Sequence, residues 1–253
     1  MALDMAEILR ILLADDEPLA LERLKFAFNE IADTEVVGTA VNGLDAAQKI
    51  AALKPDVAVL DIQMPGRTGL GVAAGLDPEE RPDVIFLTAY EEHAIDAFDV
   101  EAVDYVLKPL RIDRLRQAIQ RVRRRRAVQA PPAQAPEPTE ADDGEAFWVQ
   151  GREGLARVGV DQIDWVEAAK DYVLLHTSLR SYILRSAMGA IEARVPPSKL
   201  MRVHRSAFVR PGAVRSLQHS AGGAAALVLR DDLAVPVGPS YMSEVLRCFG
   251  NRR

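Results

Sequence analysis

The chain has 253 residues, of which 49% are hydrophobic, so it is long and apolar enough to form two domains with real cores. Its net charge is −6, and its one cysteine, Cys248, excludes an internal disulfide and a cysteine-based zinc site. We see no secretory signal pattern and no apolar run near the roughly 20 residues that span a membrane, so we expect a cytoplasmic protein without a membrane partner.

In the first 126 residues, short apolar runs alternate with helical patterns, and polar side chains stand at the ends of four of these runs. They are Asp15 and Asp16 after residues 8–14, Asp61 after 57–60, Thr88 after 84–87, and Lys108 after 105–107. Strands separated by helices predict a parallel sheet with right-handed crossovers. The carboxyl ends of such strands meet at one edge, where ligands bind. The sequence therefore predicts that these five side chains converge.

The predicted cluster combines residue types that suit a divalent cation and a phosphoryl group. Clustered carboxylates repel one another unless a cation neutralises them, and Mg²⁺ prefers such oxygen ligands. A carboxylate can also attack phosphorus and form an aspartyl phosphate, whose charge Mg²⁺ and Lys108 would offset. An X-Pro bond adopts the cis form at low cost, so Lys108-Pro109 could aim the lysine into the cluster.

Each of these signals also has a structural explanation when it is taken by itself. Asp16, followed by Glu17 and Pro18, is also a good start for a helix. A single Asp after a strand, or a Lys-Pro pair, indicates little. The order of the signals and their common position at strand ends favour the functional interpretation.

Residues 8–126 resemble the receiver domain of two-component response regulators. The matching strings are Leu13–Glu17, Val59–Gly66, Leu87–Ala89 and Asp104–Pro109. The resemblance implies a doubly wound α/β fold, flavodoxin-like, with a five-stranded parallel sheet. A phosphatase of the haloacid dehalogenase type also uses an Asp nucleophile, but it expects a second Asp two residues later, where this chain has Gln63.

The receiver resemblance also implies a role for each matching residue. Asp61 would accept the phosphoryl group. Asp15, Asp16, Asp61 and the backbone carbonyl of Gln63 would bind Mg²⁺. The residues implied in phosphoryl contact and switching are Thr88, Tyr105, Lys108 and Pro109.

A proline-rich and acidic linker is predicted at 127–145, after an apolar helical stripe over 112–122 and a run of arginines at 121 and 123–126. The linker has four prolines, five acidic residues and no Lys or Arg, so it reads as a semi-rigid tether. Net charge is −7 before it and +6 after it. The positive charge favours a polyanion partner, although solubility also explains it. The arginines could contact phosphates or stabilise the C-terminal end of their own helix.

Residues 146–250 read as a mostly-β domain, because short apolar and β-branched runs are separated by Gly, Asp and Arg-Ser breaks. We see no helix-turn-helix pattern, so DNA contacts would come from loops between strands. This half resembles the LytTR DNA-binding domain. The matching strings are Ile163–Ala168, Asp171–Val173 and Leu200–Val209, with a weaker match over Val235–Tyr241.

The LytTR resemblance implies three DNA-contacting loops on one face of the domain. Carried onto this sequence, the contacts are Lys170 and Asp171, then His204 and Arg205, then Ser240. The family usually has Asn after the Phe-Val pair and Arg near position 239, where this chain has Arg210 and Pro239. Arg210 is therefore a candidate to replace the third contact.

The two resemblances together imply a phosphorylation-activated transcription regulator. A sensor histidine kinase would phosphorylate Asp61, and a homodimer would then bind repeated DNA half-sites with higher avidity. We expect no enzymatic activity beyond slow autodephosphorylation. Two alternatives remain open: a receiver whose β domain binds a protein or RNA, and a self-contained enzyme that turns over a small phosphodonor at Asp61.

Overall fold

The computed structural model describes residues 8–77, 81–88, 102–128, 146–151, 154–219 and 225–250. The chain divides into two compact units, Met1–Val122 and Arg123–Arg253. Among the helices of the described ranges, none has the length and apolar character needed to cross a membrane.

The first unit is a five-stranded parallel sheet with the strand order β2-β1-β3-β4-β5. The strands are β1 Leu9–Ala14, β2 Thr34–Ala40, β3 Val57–Asp61, β4 Asp83–Thr88 and β5 Asp104–Leu107. The described helices are α1 Pro18–Asn29, α2 Gly43–Leu53, α3 Gly69–Ala74 and α4 Ile112–Val128. The predicted doubly wound receiver fold is confirmed.

The core of the first unit lies where α1 and α4 cover one face of this sheet. All residues of β3 are buried, as expected for a central strand with both faces covered. The helices contribute apolar residues at helical spacing, including Leu24, Phe28, Leu115 and Ile119. This packing fixes the carboxyl ends of β1, β3, β4 and β5 at one edge.

A buried group of charges connects β5 to α4. The Asp104 carboxylate is fully buried and accepts two hydrogen bonds from Arg114, with Nη1–Oδ2 at 2.8 Å and Nη2–Oδ1 at 2.7 Å. Arg121, which is 1% exposed, also pairs with Asp104. The first arginine of the run at 121 and 123–126 therefore lies inside the unit, where it is not accessible to a phosphate backbone.

Helix α4 continues through the arginine run to Val128 and so includes the first two residues of the predicted linker. The remaining predicted linker residues, 129–145, lie outside the described residues. The proposed division of the chain is therefore a receiver over 8–126, a linker over 127–145 with a helical start, and a β domain over 146–250.

The second unit is mostly β, as predicted, with strands paired in antiparallel fashion. The strands are β6 Ala146–Gly151, β7 Gly154–Gly159, β8 Ile163–Ala169, β9 Tyr172–Thr177, β10 Ser181–Arg185, β11 Met201–His204, β12 Ala207–Val209, β13 Val214–His219, β14 Ala225–Leu229 and β15 Ala234–Val237. Helices α5 Met188–Arg194 and α6 Met242–Phe249 complete it. A central sheet of order β10-β9-β8-β12-β11 is accompanied by the sheet β13-β14-β15 and the hairpin β6-β7.

Two apolar clusters form the core of this unit. One is centred on Phe147 and Phe208, and the other on Trp165 and Val245. Trp165 and Phe208 are therefore core residues, as their apolar sequence positions predict. The sheets hold the turns at the ends of β8 and β11, where the predicted DNA contacts lie.

Candidate functional site

The carboxyl edge of the parallel sheet brings three carboxylates together. Oxygen atoms of Asp15, Asp16 and Asp61 lie within 4.8 Å of one another. Asp15 is fully buried and Asp61 is 7% exposed, whereas Asp16 is exposed. Asp15 follows β1 and Asp61 ends β3, which pair in parallel, so the sheet register produces this meeting. The predicted convergence of these residues is found.

Lys108, which follows β5, contributes the positive charge of the cluster. Its Nζ donates to Asp61 Oδ2 at 2.6 Å and lies 2.8 Å from Asp15 Oδ2. The ammonium group therefore bridges two of the three carboxylates. The Lys108–Pro109 peptide bond is cis.

Backbone groups fix the orientation of the two buried carboxylates. The Gln63 N–H donates to Asp61 Oδ1 at 3.1 Å, and the Glu17 N–H donates to Asp15 Oδ1 at 3.0 Å. In each residue one oxygen accepts a backbone hydrogen bond while the other faces Lys108. Asp16 lies near Gln63 along a cavity of about 390 Å³ beside the cluster.

Burial and neighbouring charges shift the pKa values of Asp61 and Lys108. Burial raises the pKa of Asp61 and the negative charge of Asp15 adds to this, while Lys108 and the Gln63 N–H act against it. Burial alone would lower the pKa of Lys108, but its bonds to Asp15 and Asp61 outweigh burial and the net shift is upward. The upward shift of the Lys108 pKa reflects the negative charge of Asp15 and Asp61 around the ammonium group. Three carboxylates beside one ammonium leave surplus negative charge, which favours binding of a cation.

The predicted switch residues lie on β4, which pairs with β3, and on β5, which pairs with β4. Thr88 ends β4, and its carbonyl accepts from the Lys108 N–H at 2.7 Å, so the main chain connects these two residues. Tyr105 on β5 is 5% exposed, and its ring stacks on Phe86 with centroids 5.6 Å apart. Ala89, the next residue of the Leu87–Ala89 string, lies outside the described residues.

Gly69 is a site-supporting residue that the sequence analysis did not identify. A Cβ atom at this position would lie 2.1 Å from the Asp61 carbonyl oxygen, so a side chain does not fit there. The Gly69 N–H donates to the Ile62 carbonyl at 3.0 Å. This close approach of the start of α3 to the end of β3 holds the loop between them, and a glycine at a helix start gives little sequence signal of it.

In the second unit, five of the six predicted DNA contacts lie on or beside three turns that hydrogen bonds join. Lys170 and Asp171 form the exposed two-residue turn between β8 and β9, and Lys170 has φ +55°. The Ala168 N–H, beside this turn, donates to the Ser206 carbonyl at 2.9 Å. Ser206 belongs to the β11–β12 turn together with the exposed Arg205.

The third predicted loop is attached to β11, the strand that leads into this turn. The Gly238 N–H donates to the Val203 carbonyl at 2.8 Å. Gly238 precedes a short 3-10 helix, Pro239–Tyr241, that carries the exposed Ser240. Lys170, Asp171, His204, Arg205 and Ser240 therefore lie on or beside turns that are linked through backbone hydrogen bonds of the turns and their flanking strands.

His204 is held in one tautomer by its neighbour Ser206. The Ser206 backbone N–H donates to His204 Nδ1 at 3.3 Å, and the Ser206 hydroxyl lies 2.7 Å from the same atom. An Nδ1 that accepts leaves the proton of a neutral ring on Nε2. Burial, and then the positive charge of Arg205, lowers the pKa of His204, so the neutral form is favoured.

Arg210 does not join the other predicted DNA contacts. Its Nε donates to the Ile163 carbonyl at 3.0 Å, and its guanidinium pairs with Asp164. Both partners are at the start of β8, while Lys170 follows its end. Arg210 thus connects the end of β12 to the start of β8, which is where the antiparallel register puts it.

Comparison with known families agrees with both halves of this description. Residues 11–120 match the response regulator receiver domain, and residues 153–250 match the LytTr DNA-binding domain. The chain is 33% identical over 244 residues to the transcriptional regulatory protein BtsR of Salmonella typhi, covering 96% of this chain and 100% of that protein. It is 27% identical over 240 residues to the sensory transduction protein LytT of Bacillus anthracis, covering 94% and 98%.

Among solved structures, one similar protein is the receiver domain of the response regulator NarL from Mycobacterium tuberculosis. It has 35% identity and a TM-score of 0.42, and the match covers 45% of this chain and 94% of that domain. The two family matches and the full-length relatives establish the family. The chain belongs to the response regulators that combine a receiver domain with a LytTR DNA-binding domain.

Proposed function

We propose that this protein is a transcription regulator that accepts a phosphoryl group on Asp61 and binds DNA through its β domain. The observation that carries the proposal is the meeting of Asp61, Asp15 and Lys108 at the carboxyl edge of the receiver sheet. The name of the full-length relative BtsR, a transcriptional regulatory protein, supports the same function. Since its partners would be a kinase and DNA, we expect it to act in the cytoplasm.

The donor set of the acidic cluster fits a magnesium ion. Asp15, Asp16, Asp61 and the Gln63 carbonyl would hold it, since Mg²⁺ takes a few protein oxygens and completes its shell with water and phosphate. When bound, the ion would offset negative charge on the phosphoryl oxygens. Backbone N–H groups already orient the carboxylates of Asp15 and Asp61, so these two side chains would need little reorganisation to bind the ion.

A sensor histidine kinase would supply the phosphoryl group. One oxygen of the ionised Asp61 attacks phosphorus, and the new P–O bond forms as the bond to the kinase histidine nitrogen breaks. The electron pair of the broken bond stays on that nitrogen. Lys108, 2.6 Å from Asp61, is placed to pair with the transferred oxygens. Slow hydrolysis of the aspartyl phosphate would be the chain's one catalysed reaction.

The added charge on Asp61 would alter the environment of side chains on and after β4 and β5. A phosphoryl group carries about −1.5 to −2 charges, and it would draw the Thr88 hydroxyl and Lys108 toward it. Tyr105, packed on Phe86 beside Thr88, would then repack. We propose that this change promotes a homodimer, whose two β domains bind repeated half-sites with higher avidity. Part of the proposed switch face, residues 89–101, lies outside the described residues.

In the β domain, we propose that the three connected turns form the DNA-contacting surface. Arg205 is exposed at the tip of its turn and offers a two-pronged donor to guanine. His204 offers the Nε2–H of a neutral ring. Lys170, Asp171 and Ser240 lie on the adjoining turns, and Arg210 is assigned to holding β12 on β8.

The phosphorylation step is tested with labelled acetyl phosphate and the full-length protein, with and without Mg²⁺. We expect Asp61→Asn to abolish labelling, because the amide is not a nucleophile toward phosphorus. Asp56→Asn is the matched control, since Asp56 immediately precedes the same strand at its other end. Labelling of Asp61→Asn at the normal rate, or normal labelling after removal of Mg²⁺, would overturn the assignment.

The DNA-binding part is tested by selection from a random-sequence duplex library. We expect phosphorylated full-length protein to enrich a repeated motif. If no duplex is enriched while a random RNA library is, the β domain binds RNA instead and this part of the proposal fails.

A further inference from the structure

We propose that Arg202 is a positioning residue for DNA reading, which fixes the turn that carries His204 and Arg205 and ties it to the loop that carries Ser240. This inference rests on the proposed function, because it assigns a role within the three-turn surface. Arg202 is not among the residues that the family resemblance implied as DNA contacts.

Four contacts of the Arg202 side chain carry the inference. Its Nη2 donates to the backbone carbonyl of Arg205 at 3.1 Å, and its Nη1 pairs with Glu192. Its guanidinium carbon lies 5.6 Å from the ring centroid of Phe208 and 5.8 Å from that of Tyr241. One side chain therefore touches the β11–β12 turn, the following strand and the loop that ends in Tyr241.

The contact with the Arg205 carbonyl sets the direction of the proposed reading side chain. Arg205 is at the tip of a tight turn. A rotation of its peptide plane there would redirect the Arg205 side chain relative to the DNA groove that it is proposed to read. The β11–β12 register is irregular between Arg202 and His204, so the ladder itself does not fix this peptide. Arg202 holds the carbonyl side of this peptide, while the Ser206 N–H holds the other side by donating to His204 Nδ1.

The contact with Tyr241 couples this turn to the third loop. A Cβ atom on Gly238 would lie 3.1 Å from the Tyr241 ring and 3.3 Å from the His204 ring, so both rings pack close to this glycine. Arg202 lies against the same Tyr241 ring. The β11–β12 turn and the loop that carries Ser240 therefore pack against each other, and Arg202 contacts both.

Arginine chemistry is required for this arrangement. The planar guanidinium can stack on aromatic rings while its separate N–H groups bind two acceptors in different directions. A lysine ammonium is a single point on a flexible stem and cannot reproduce both contacts together. Arg202→Lys therefore keeps the charge and removes the positioning.

A direct phosphate contact is the competing role for Arg202, and the structure disfavours it. The side chain is 22% exposed, and its terminal nitrogens are directed to Glu192 and the Arg205 carbonyl. Arg205, by comparison, is exposed.

The experiment uses full-length protein and two duplexes: one that the wild type selects from a random-sequence library, and a scrambled duplex of the same composition. Arg202→Lys, Arg202→Gln and Arg205→Ala are compared at several salt concentrations. Arg194→Gln is the matched control, because Arg194 also donates to a backbone carbonyl, Ala146 at 2.5 Å, and lies 4.9 Å from an aromatic ring centroid, that of Phe147.

We expect both Arg202 variants to lower affinity for the selected duplex by roughly five- to a hundredfold, the range of a lost base contact. Affinity of Arg202→Lys for the scrambled duplex and its salt dependence should stay at the wild-type value, because no phosphate contact is lost. Arg194→Gln should leave the preference for the selected duplex unchanged, even if it lowers the melting temperature as much as Arg202→Gln does.

A double-variant cycle separates positioning from general damage. If Arg202 acts through Arg205, then Arg202→Gln/Arg205→Ala should bind the selected duplex within about twofold of Arg205→Ala. Full additivity of the two losses would overturn the inference, as would retained preference in Arg202→Lys, or an Arg205→Ala variant that binds like the wild type. Failure of the wild type to select any duplex would instead overturn the proposed function.

Discussion

The receiver unit buries several charged side chains, whereas the described Asp, Glu, Lys and Arg residues of the β unit are all at least partly exposed. Among the described residues, the buried Asp and Arg side chains are Asp15, Asp61, Asp104, Arg114 and Arg121, and all of them belong to the receiver. The buried polar residues of the β unit are His176, Thr177 and Ser181. Its functional candidates Lys170 and Arg205 are exposed.

This difference shows how each unit would use charge. A buried charge is costly, so it persists where opposite charges and backbone donors hold it in one geometry, and salt screens it little. Such a site suits a small cation and a covalent phosphoryl group. Exposed charges on turns interact weakly with one another and strongly with a polyanion, in a way that depends on salt.

The largest expected effect is a loss of receiver stability when the buried ion pairs outside the phosphorylation site are broken. Asp104→Ala leaves two buried arginines without their shared carboxylate and should lower the free energy of unfolding of the receiver by about 3–5 kcal/mol. Asp113→Ala is the control, because the Asp113–Arg111 pair is half exposed and should cost no more than about 1 kcal/mol. Urea unfolding followed by helical circular dichroism measures both. Equal losses would show that burial does not distinguish the two pairs.

The next effect concerns the exposed charge at the tip of the β11–β12 turn. Arg205→Ala should lower discrimination between a selected and a scrambled duplex by about 1–3 kcal/mol, because a two-pronged base contact is lost. Arg215→Ala, which removes another exposed arginine of the same unit, should leave discrimination unchanged. Titrations of both duplexes measure the difference. An equal loss on the two duplexes would identify Arg205 as a backbone contact.

A smaller effect follows from the raised pKa of Asp61. Burial raises this pKa, and a protonated carboxyl does not bind Mg²⁺, so affinity should fall as pH decreases through the raised value. The fall approaches tenfold, about 1.4 kcal/mol, per pH unit below that pKa. Calorimetric titration of full-length protein at neutral pH and near pH 5 measures it. Asp61→Asn should bind more weakly and lose most of this pH dependence; a wild-type affinity that does not change with pH contradicts the prediction.

The smallest expected effect concerns Lys170, whose backbone conformation affects stability and whose side chain is proposed to contact DNA. With φ at +55°, this residue is in the left-handed region, which glycine occupies without steric cost. Lys170→Gly should keep or raise the free energy of unfolding by no more than about 1 kcal/mol, yet weaken binding to every duplex and reduce the salt slope by about one charge. Lys170→Gln should show the same DNA effect without the gain in stability. An unchanged salt slope in both would place Lys170 outside the DNA contact.

The receiver site could be predicted from sequence because of its topology. In a parallel sheet every strand ends at the same edge, so the positions of Asp15, Asp61 and Lys108 after apolar runs were sufficient to predict their meeting. The Asp104 cluster gave no comparable signal, because its partners Arg114 and Arg121 lie in a helix that looks basic and exposed in the sequence.

The DNA-contacting surface of the β unit was harder to predict because its strands are antiparallel. In antiparallel sheets, turns occur at both ends, and sequence order does not say which turns share an end. Arg210 illustrates this, since it is close in sequence to Arg205 but reaches the opposite end of β8. The role proposed for Arg202 also depends on contacts across three segments that no local pattern contains.

The burial of Arg121 has a practical consequence for anyone who excises the receiver or fuses it to another output module. The match to the receiver family ends at residue 120, which would be a natural place to cut the chain. A cut there would remove Arg121, one of the two buried arginines that pair with Asp104, together with the buried Val122. A junction placed beyond Val128, where the described part of α4 ends, keeps the interior intact and lets the new module begin on a complete helix.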